Sequence, residues 1–338
     1  MKFWIKNSAF RIILAALLVL GGIAYGLADR YLIEHVEAVA VVPTLTTPSP
    51  AAVGTTAPTA NSAGSSSSQL KSATATAAPT TEPASAVAVA DDWSYQSETV
   101  SISVKQVSTG SGTSKVNYYV ADVVLADASS LSSAFAKNKF GTNIIEYTSK
   151  IAADNQAVFA INGDYYGFRT DGIIIRNGVL YRNNPARTGL AFYKDGTMKI
   201  YDETPTSAQE LLDAGVWNTL SFGPALLTNS VLAANLNQIE VDTNFGNHSI
   251  QGSHPRSGVG IIAPNHFVFI VVDGRSPGYS RGASLSEFAQ IFKGLGCTDA
   301  YNIDGGGSST MYFMGRVVNN PLGKNQERGT SDILFIGS

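Results

Sequence analysis

Hydrophobic and polar positions divide the chain into three stretches of different character. Lys2, Lys6 and Arg11 precede an uncharged apolar run over residues 12–28, which Asp29 and Arg30 close. Such a run is at the short end for a membrane-spanning helix, and the basic flank predicts a single-pass signal anchor with residues 1–11 in the cytoplasm. A cleaved secretory signal is the competing reading, although its apolar core is usually shorter. Either reading puts the remaining chain outside the cytoplasm. Residues 29–94 read as a disordered stalk: between 43 and 90 Ala, Thr, Ser and Pro dominate, Lys71 and Glu82 are the only charges, and no aromatic residue occurs. Too little apolar surface is available there to offset chain entropy.

Periodicity returns at residues 95–338, which are long enough for one well-packed domain. Residues 98–107 alternate polar and apolar as a half-exposed strand does, and 117–125 reads as its partner. Short helices are predicted over 131–139 and 144–154. A buried strand, 157–161, runs into Asn162-Gly163-Asp164-Tyr165-Tyr166, and hairpins follow at 172–181 and 189–200. Capping-box spacing marks Ser207 to Glu210 and Ser284 to Glu287 as helix starts. In the C-terminal third an apolar strand, 266–272, ends at Asp273. A helix with Phe288, Ile291, Phe292 and Leu295 on one face comes next, and a second strand, 300–303, ends at Asp304. Strand, helix and strand of this length predict a crossover between parallel strands, with both aspartates on one sheet edge, where open sheets place ligands. The fold class expected is α+β: one domain rich in mixed β-sheet, with a few flanking helices and a C-terminal β-α-β unit.

Composition then narrows the function. A net charge of −3 offers no basic face for nucleic acid. A single cysteine, Cys297, excludes an intramolecular disulfide framework, and four histidines argue against a His-rich metal site.

The sharpest chemical feature is Asp304-Gly305-Gly306-Gly307-Ser308 directly after a strand. Three glycines let the backbone approach a ligand and turn N–H groups toward an anion, Ser308 adds a hydroxyl, and Asp304 adds a carboxylate. No Lys follows the glycines, so this is not a nucleoside-triphosphate loop. Arg256, Arg275 and Arg187 offer planar donors for phosphate or carboxylate, and His254 offers a titratable ring. Each also has a plain structural alternative, such as an ion pair of Arg275 with Asp273 or a turn role for His254. Asn162 and Asp164, with the adjacent tyrosines, could bind sugar hydroxyls or simply pack.

Taken in order, Asn-Gly-Asp-Tyr-Tyr, Arg-Thr-Gly-Leu, Phe-Gly-Pro-Ala-Leu, His-Pro-Arg-Ser, Val-Asp-Gly-Arg and Asn-Ile-Asp-Gly-Gly-Gly-Ser-Ser resemble the phosphodiester glycosidase family over roughly residues 95–338. Bacterial members of that family are often described as exopolysaccharide-biosynthesis proteins. The resemblance implies a hydrolase that cleaves the bond between an anomeric carbon and a phosphodiester oxygen, here at the cell envelope. Asp304, Asp273 and Asp164 are then the catalytic candidates. Asn162, Arg187, His254, Arg256, Arg275, Gly305, Gly306, Gly307 and Ser308 are the candidates for substrate binding. Some family members carry Gly where Asp164 stands, which weakens its claim. No cofactor is called for; a divalent cation on Asp oxygens stays open, though calcium-loop spacing is absent. The expected partners are a sugar-phosphate glycoconjugate or envelope polymer, and the membrane through the N-terminal helix. The competing classes are a non-catalytic envelope-glycan binding module and a polysaccharide-assembly scaffold.

Overall fold

The computed structural model describes residues 8–40, 88–241 and 249–338. Residues 41–87, the larger part of the expected stalk, lie outside the described residues. The helix Ser8–Tyr31 covers the apolar run, and its window Ile13–Arg30 is long and apolar enough to cross a membrane. At 1.5 Å per residue it spans about 36 Å, against a hydrocarbon core of about 30 Å.

The architecture is α+β, as expected. A nine-stranded sheet holds, in spatial order, the strands Val231–Leu232, Ala225–Thr228, Asp299–Ile303, Arg256–Ala263, His266–Val272, Val116–Leu125, Val100–Thr109, Ser94–Gln96 and Val89–Ala90. A five-stranded sheet is centred on Ala157–Asn162, flanked by Met311–Phe313 and Asp332–Gly337. Strand alternation assigns the core. Phe267, Phe269 and Val271 face one way and pack with Phe159, Ile161, Phe313 and Leu334 of the smaller sheet; the rings of Phe159 and Phe269 are 5.1 Å apart. Val268, Ile270 and Val272 face the other way and pack under Phe288 and Phe292 of the helix Leu285–Gly294. Burial on both faces explains why 266–272 reads as a continuous apolar run. Gly258 and Gly260 admit that helix: a Cβ would lie 2.8 Å from the Phe288 ring at the first position and 2.8 Å from the Cys297 sulfur at the second.

Several elements differ from expectation. Residues 131–139 form the strand Ser132–Phe135 and a 3₁₀ turn rather than a helix. Their apolar spacing suits either period, and pairing with Asp332–Gly337 decides it. The helix expected over 144–154 shortens to Thr148–Asp154. In the C-terminal unit, strands 266–272 and 299–303 do run parallel, but Arg256–Ala263 lies between them, antiparallel to both. The two aspartates still emerge at the same edge.

The expected stalk boundaries need correction at both ends. Residues 89–90 and 94–96 belong to the nine-stranded sheet. The strand His35–Val39, just beyond the N-terminal helix, pairs antiparallel with Lys139–Thr142. Gly141 makes this approach feasible, because a Cβ there would stand 1.9 Å from the His35 carbonyl oxygen. Asn143 Nδ2 donates to the carbonyls of Asp29 (3.0 Å) and Ile33 (2.8 Å), and ion pairs join Lys137 to Glu34 and Arg182 to Glu37. The chain therefore pairs with strands of the domain at residues 35–39 and again from residue 89.

Candidate active site

The sheet edge carrying both aspartates is set by register: Val272 pairs with Arg256, and Ile303 pairs with the neighbouring Ser257. From there the two carboxylates diverge.

Asp304 lines a cleft of about 150 Å³ together with Arg256, Arg275, Arg328, His254, Asn302 and the Gly305–Gly307 backbone. Tyr165 and Phe222 supply an aromatic wall. The hydrogen bonds to its carboxylate converge on Oδ2, from Ser308 Oγ at 2.5 Å and Arg328 Nη2 at 3.2 Å. Arg328 Nη2 also donates to Ser308 Oγ at 2.5 Å, closing a three-membered network. Behind the network, Asn162 is fully buried and fixes the main chain: its Nδ2 donates to the Asp304 carbonyl at 2.7 Å, while its Oδ1 accepts from Ser257 Oγ and the Thr310 amide. Burial pushes the Asp304 carboxyl above the usual carboxylate range; Arg328 and the Ser308 hydroxyl hold it back in part.

The triple glycine folds into a tight turn. Gly306 sits at φ +61° and its amide donates to the Pro255 carbonyl at 2.9 Å. A Cβ on Gly306 would stand 3.3 Å from Nη2 of Arg275, so the guanidinium lies against the glycine loop. Arg275 itself adopts φ +57°, a rare conformation for a long side chain.

Arg256 is 3% exposed and donates to main-chain carbonyls: Nε to Ala283 at 2.9 Å, Nη2 to Ile250 at 2.6 Å and to Gly252 at 2.9 Å. Burial, then the neighbouring Arg275, lowers its pKa to about 10. Burial and Arg328 lower that of Arg275. Among the described residues neither cation has a carboxylate partner. A buried charge without a countercharge is costly in isolation, as at Arg256, and the exposed Arg275 adds a second cation to the same cleft.

Three expected site residues are spent elsewhere. The Asp273 carboxylate accepts from Tyr279 Oη (2.9 Å), Asn319 Nδ2 (2.9 Å) and the Asn320 amide, and it does not line the cleft. Asp164 accepts from the amides of Ser221 (2.6 Å) and Tyr165 (2.7 Å), and its own amide donates to Asp332. It belongs to a buried cluster in which Arg176 bonds Asp332 at 2.7 Å and approaches Asp164 at 3.8 Å. Arg187 pairs with Asp171 at 2.6 Å and donates to Ser221 Oγ, away from the cleft lining. The presumed Arg275–Asp273 ion pair is not formed, because both Asp273 oxygens face Tyr279 and the 319–320 backbone. Sequence reading missed Arg328, which lies in a loop with no strand-end signal. It also missed Phe222 and Asn302, although both fall inside motifs it had quoted. Arg169, likewise unforeseen, places its guanidinium 5.1 Å from the Tyr165 ring and 5.0 Å from that of Phe222. No group of three or more His, Cys, Asp or Glu side chains suited to a metal ion occurs among the described residues.

The cleft thus combines one carboxylate, three guanidiniums and an aromatic wall. The sequence model of phosphodiester glycosidases matches residues 155–337. A curated relative, the SPbeta prophage-derived uncharacterized protein YomE of Bacillus subtilis (strain 168), is 33% identical over 206 residues, which cover 58% of this chain. The match spans only 30% of that relative's length. The catalytic domain of zebrafish N-acetylglucosamine-1-phosphodiester alpha-N-acetylglucosaminidase, solved in a form auto-inhibited by its pro-peptide, superposes with a TM-score of 0.58 at 21% identity, over 72% of this chain and 84% of that one. A hypothetical protein from Synechocystis superposes with a TM-score of 0.54 at 15% identity, over 71% and 62% of the two chains. At these identities the structures share the fold.

Proposed function

The chain belongs to the phosphodiester glycosidase family, and we propose that it hydrolyses sugar-1-phosphodiester bonds in envelope polysaccharide or a related glycoconjugate. In this reading the helix Ser8–Tyr31 anchors the protein and the domain works outside the cytoplasm. The observation that carries the reading is the pair of guanidiniums without carboxylate partners, Arg256 and Arg275, in one cleft with Asp304. A substrate with a sugar ring beside a phosphate meets all three features. The ring lies on Tyr165 and Phe222, the phosphate meets the arginines, and the anomeric carbon faces Asp304.

Hydrolysis puts a water hydroxyl on the anomeric carbon as the C1–O bond breaks, and releases free sugar and a phosphomonoester. Positive charge develops on the ring, and a carboxylate at that position stabilises it or takes the proton from the attacking water. Ser308 and Arg328 hold Asp304 through Oδ2, which leaves Oδ1 for the reacting centre. Asp273 and Asp164, already saturated with structural hydrogen bonds, are assigned no step.

The test is release of reducing sugar from a panel of synthetic sugar-1-phosphodiesters, N-acetylglucosamine-1-phosphodiester among them, by the full chain in detergent. Isolated envelope polymers form a second panel. Turnover by the wild type and none by Asp304→Asn is expected. Binding of these compounds without turnover in either protein would identify a glycan-binding module instead.

A further inference from the structure

The charge carried by the cleft exceeds that of the substrate just proposed. Arg328 is bonded to Asp304, so these two cancel. Arg256 and Arg275 remain, giving a surplus of two positive charges among the described lining residues. Behind the lining, Arg169 acts electrostatically on Asp304 from beside Tyr165 and Phe222, and the buried cluster of Arg176 with Asp164 and Asp332 sums to one negative charge. A phosphodiester carries one negative charge and leaves one cation unmatched. When the C1–O bond breaks, its electron pair stays on the phosphate oxygen, and the departing phosphomonoester carries two.

Resting on the reading above, we propose that this cleft is matched in charge to the leaving phosphomonoester dianion, and that Arg275, with Arg256, supplies leaving-group stabilisation where other glycosidases use a general acid. Interactions that strengthen as the bond breaks accelerate the chemical step, whereas those equal in substrate and transition state do not. The placement of Arg275 supports this role. Its backbone is held at φ +57°, and its guanidinium lies against Gly306, itself at φ +61°, where a side chain would displace it. Two left-handed residues in contact thus bring a cation to the glycine turn beside Asp304. Among the lining residues described, Asp304 is the sole carboxyl group, and Arg328 and Ser308 engage it, so no second carboxylic acid stands ready to protonate a leaving oxygen.

The test compares methyl phosphate with dimethyl phosphate by titration calorimetry on the full chain in detergent at pH 7.5. The first is a dianion there and the second a monoanion, at nearly the same size. The wild type is expected to bind methyl phosphate at least about tenfold tighter, the scale of one added charge-assisted contact. In Arg275→Gln this ratio should fall to about threefold or less. With sugar-1-phosphodiester, the same variant should lose kcat far more than it raises KM. Arg275→Lys keeps the charge and should retain the preference; it also serves as the probe if the glutamine variant does not fold. Equal affinity for the two phosphates, or no binding of either at millimolar concentration, overturns the proposal. So does an Arg275→Gln variant with raised KM and unchanged kcat. Turnover of sugar-1-phosphodiester alongside equal affinities would remove this inference and leave the glycosidase reading intact. A tenfold preference without turnover would remove the glycosidase reading and keep the charge match as the property of a monoester-binding cleft.

Discussion

Two arginine–aspartate assemblies lie in one domain with opposite charge balance. In the buried cluster one guanidinium, Arg176, serves two carboxylates, Asp332 and Asp164; main-chain groups take up the remaining bonds and no cleft opens. In the cleft three guanidiniums face one carboxylate; Arg328 bonds it, while Arg256 gives its hydrogen bonds to neutral carbonyls. Both assemblies use the same residue types at the ends of buried strands. Chemistry is marked by whether each cation has a carboxylate rather than by the residues: the buried cluster is balanced in that sense, although it sums to one negative charge, while the cleft leaves two cations for an anion to complete.

The largest expected effect tests the unbalanced side. Asp304→Asn should lower turnover of sugar-1-phosphodiesters by about 10³-fold or more, the scale for loss of a catalytic carboxylate, while far-ultraviolet circular dichroism stays unchanged. The balanced side should respond in stability. Asp332→Asn leaves Arg176 buried with less compensation and should cost about 3 kcal/mol in urea unfolding, a loss that would lower activity only through the folded fraction.

A smaller effect concerns pH. The folded-state pKa of Asp304 is raised by burial. A raised carboxyl contributes stability that is fully present below its ordinary value near 4 and is lost as pH rises through the folded value. At pH 7 Asp304→Asn should therefore melt at or above the wild-type temperature, with the gap closing toward pH 4. A variant that melts well below wild type at pH 7 would show that Asp304 holds the fold and would weaken its functional assignment. Smallest of all, the solvent-exposed i,i+4 pair between Lys150 and Asp154, 2.5 Å apart, should show little or no coupling by double-mutant cycle. A large coupling there would break the rule that burial and imbalance, rather than pairing itself, govern these charges.

Much of this site was legible because its signals are local. An apolar strand ending in Asp-Gly-Gly-Gly-Ser fixes a carboxylate, a tight turn and a hydroxyl within five residues, and the structure keeps them in hydrogen-bond contact. The hairpins at 172–181 and 189–200 and both capping boxes were legible for the same reason. The failures are long-range. Asp273 has the same strand-end context as Asp304, yet Asn319 and Asn320, far along the chain, claim its carboxylate. Arg187 and Asp171 look alike free in the sequence and pair only because the loop folds them together. Arg328 reaches Asp304 from a polar loop whose sequence resembles any other surface turn. Which strand-end acid meets an empty cleft is decided by partners that periodicity and motif spacing do not reveal.

The strand His35–Val39 has a mechanical consequence. Because it joins the edge of Lys139–Thr142 before the Ala/Ser/Thr/Pro-rich stretch begins, the height of the cleft above the N-terminal helix is set by the few residues between Tyr31 and His35. Deleting or doubling the stretch should leave that height unchanged, because the pairing of residues 35–39 precedes it. A protease cut within the stretch should yield two polypeptides still joined through β-pairing, like a hinge whose pin remains in place.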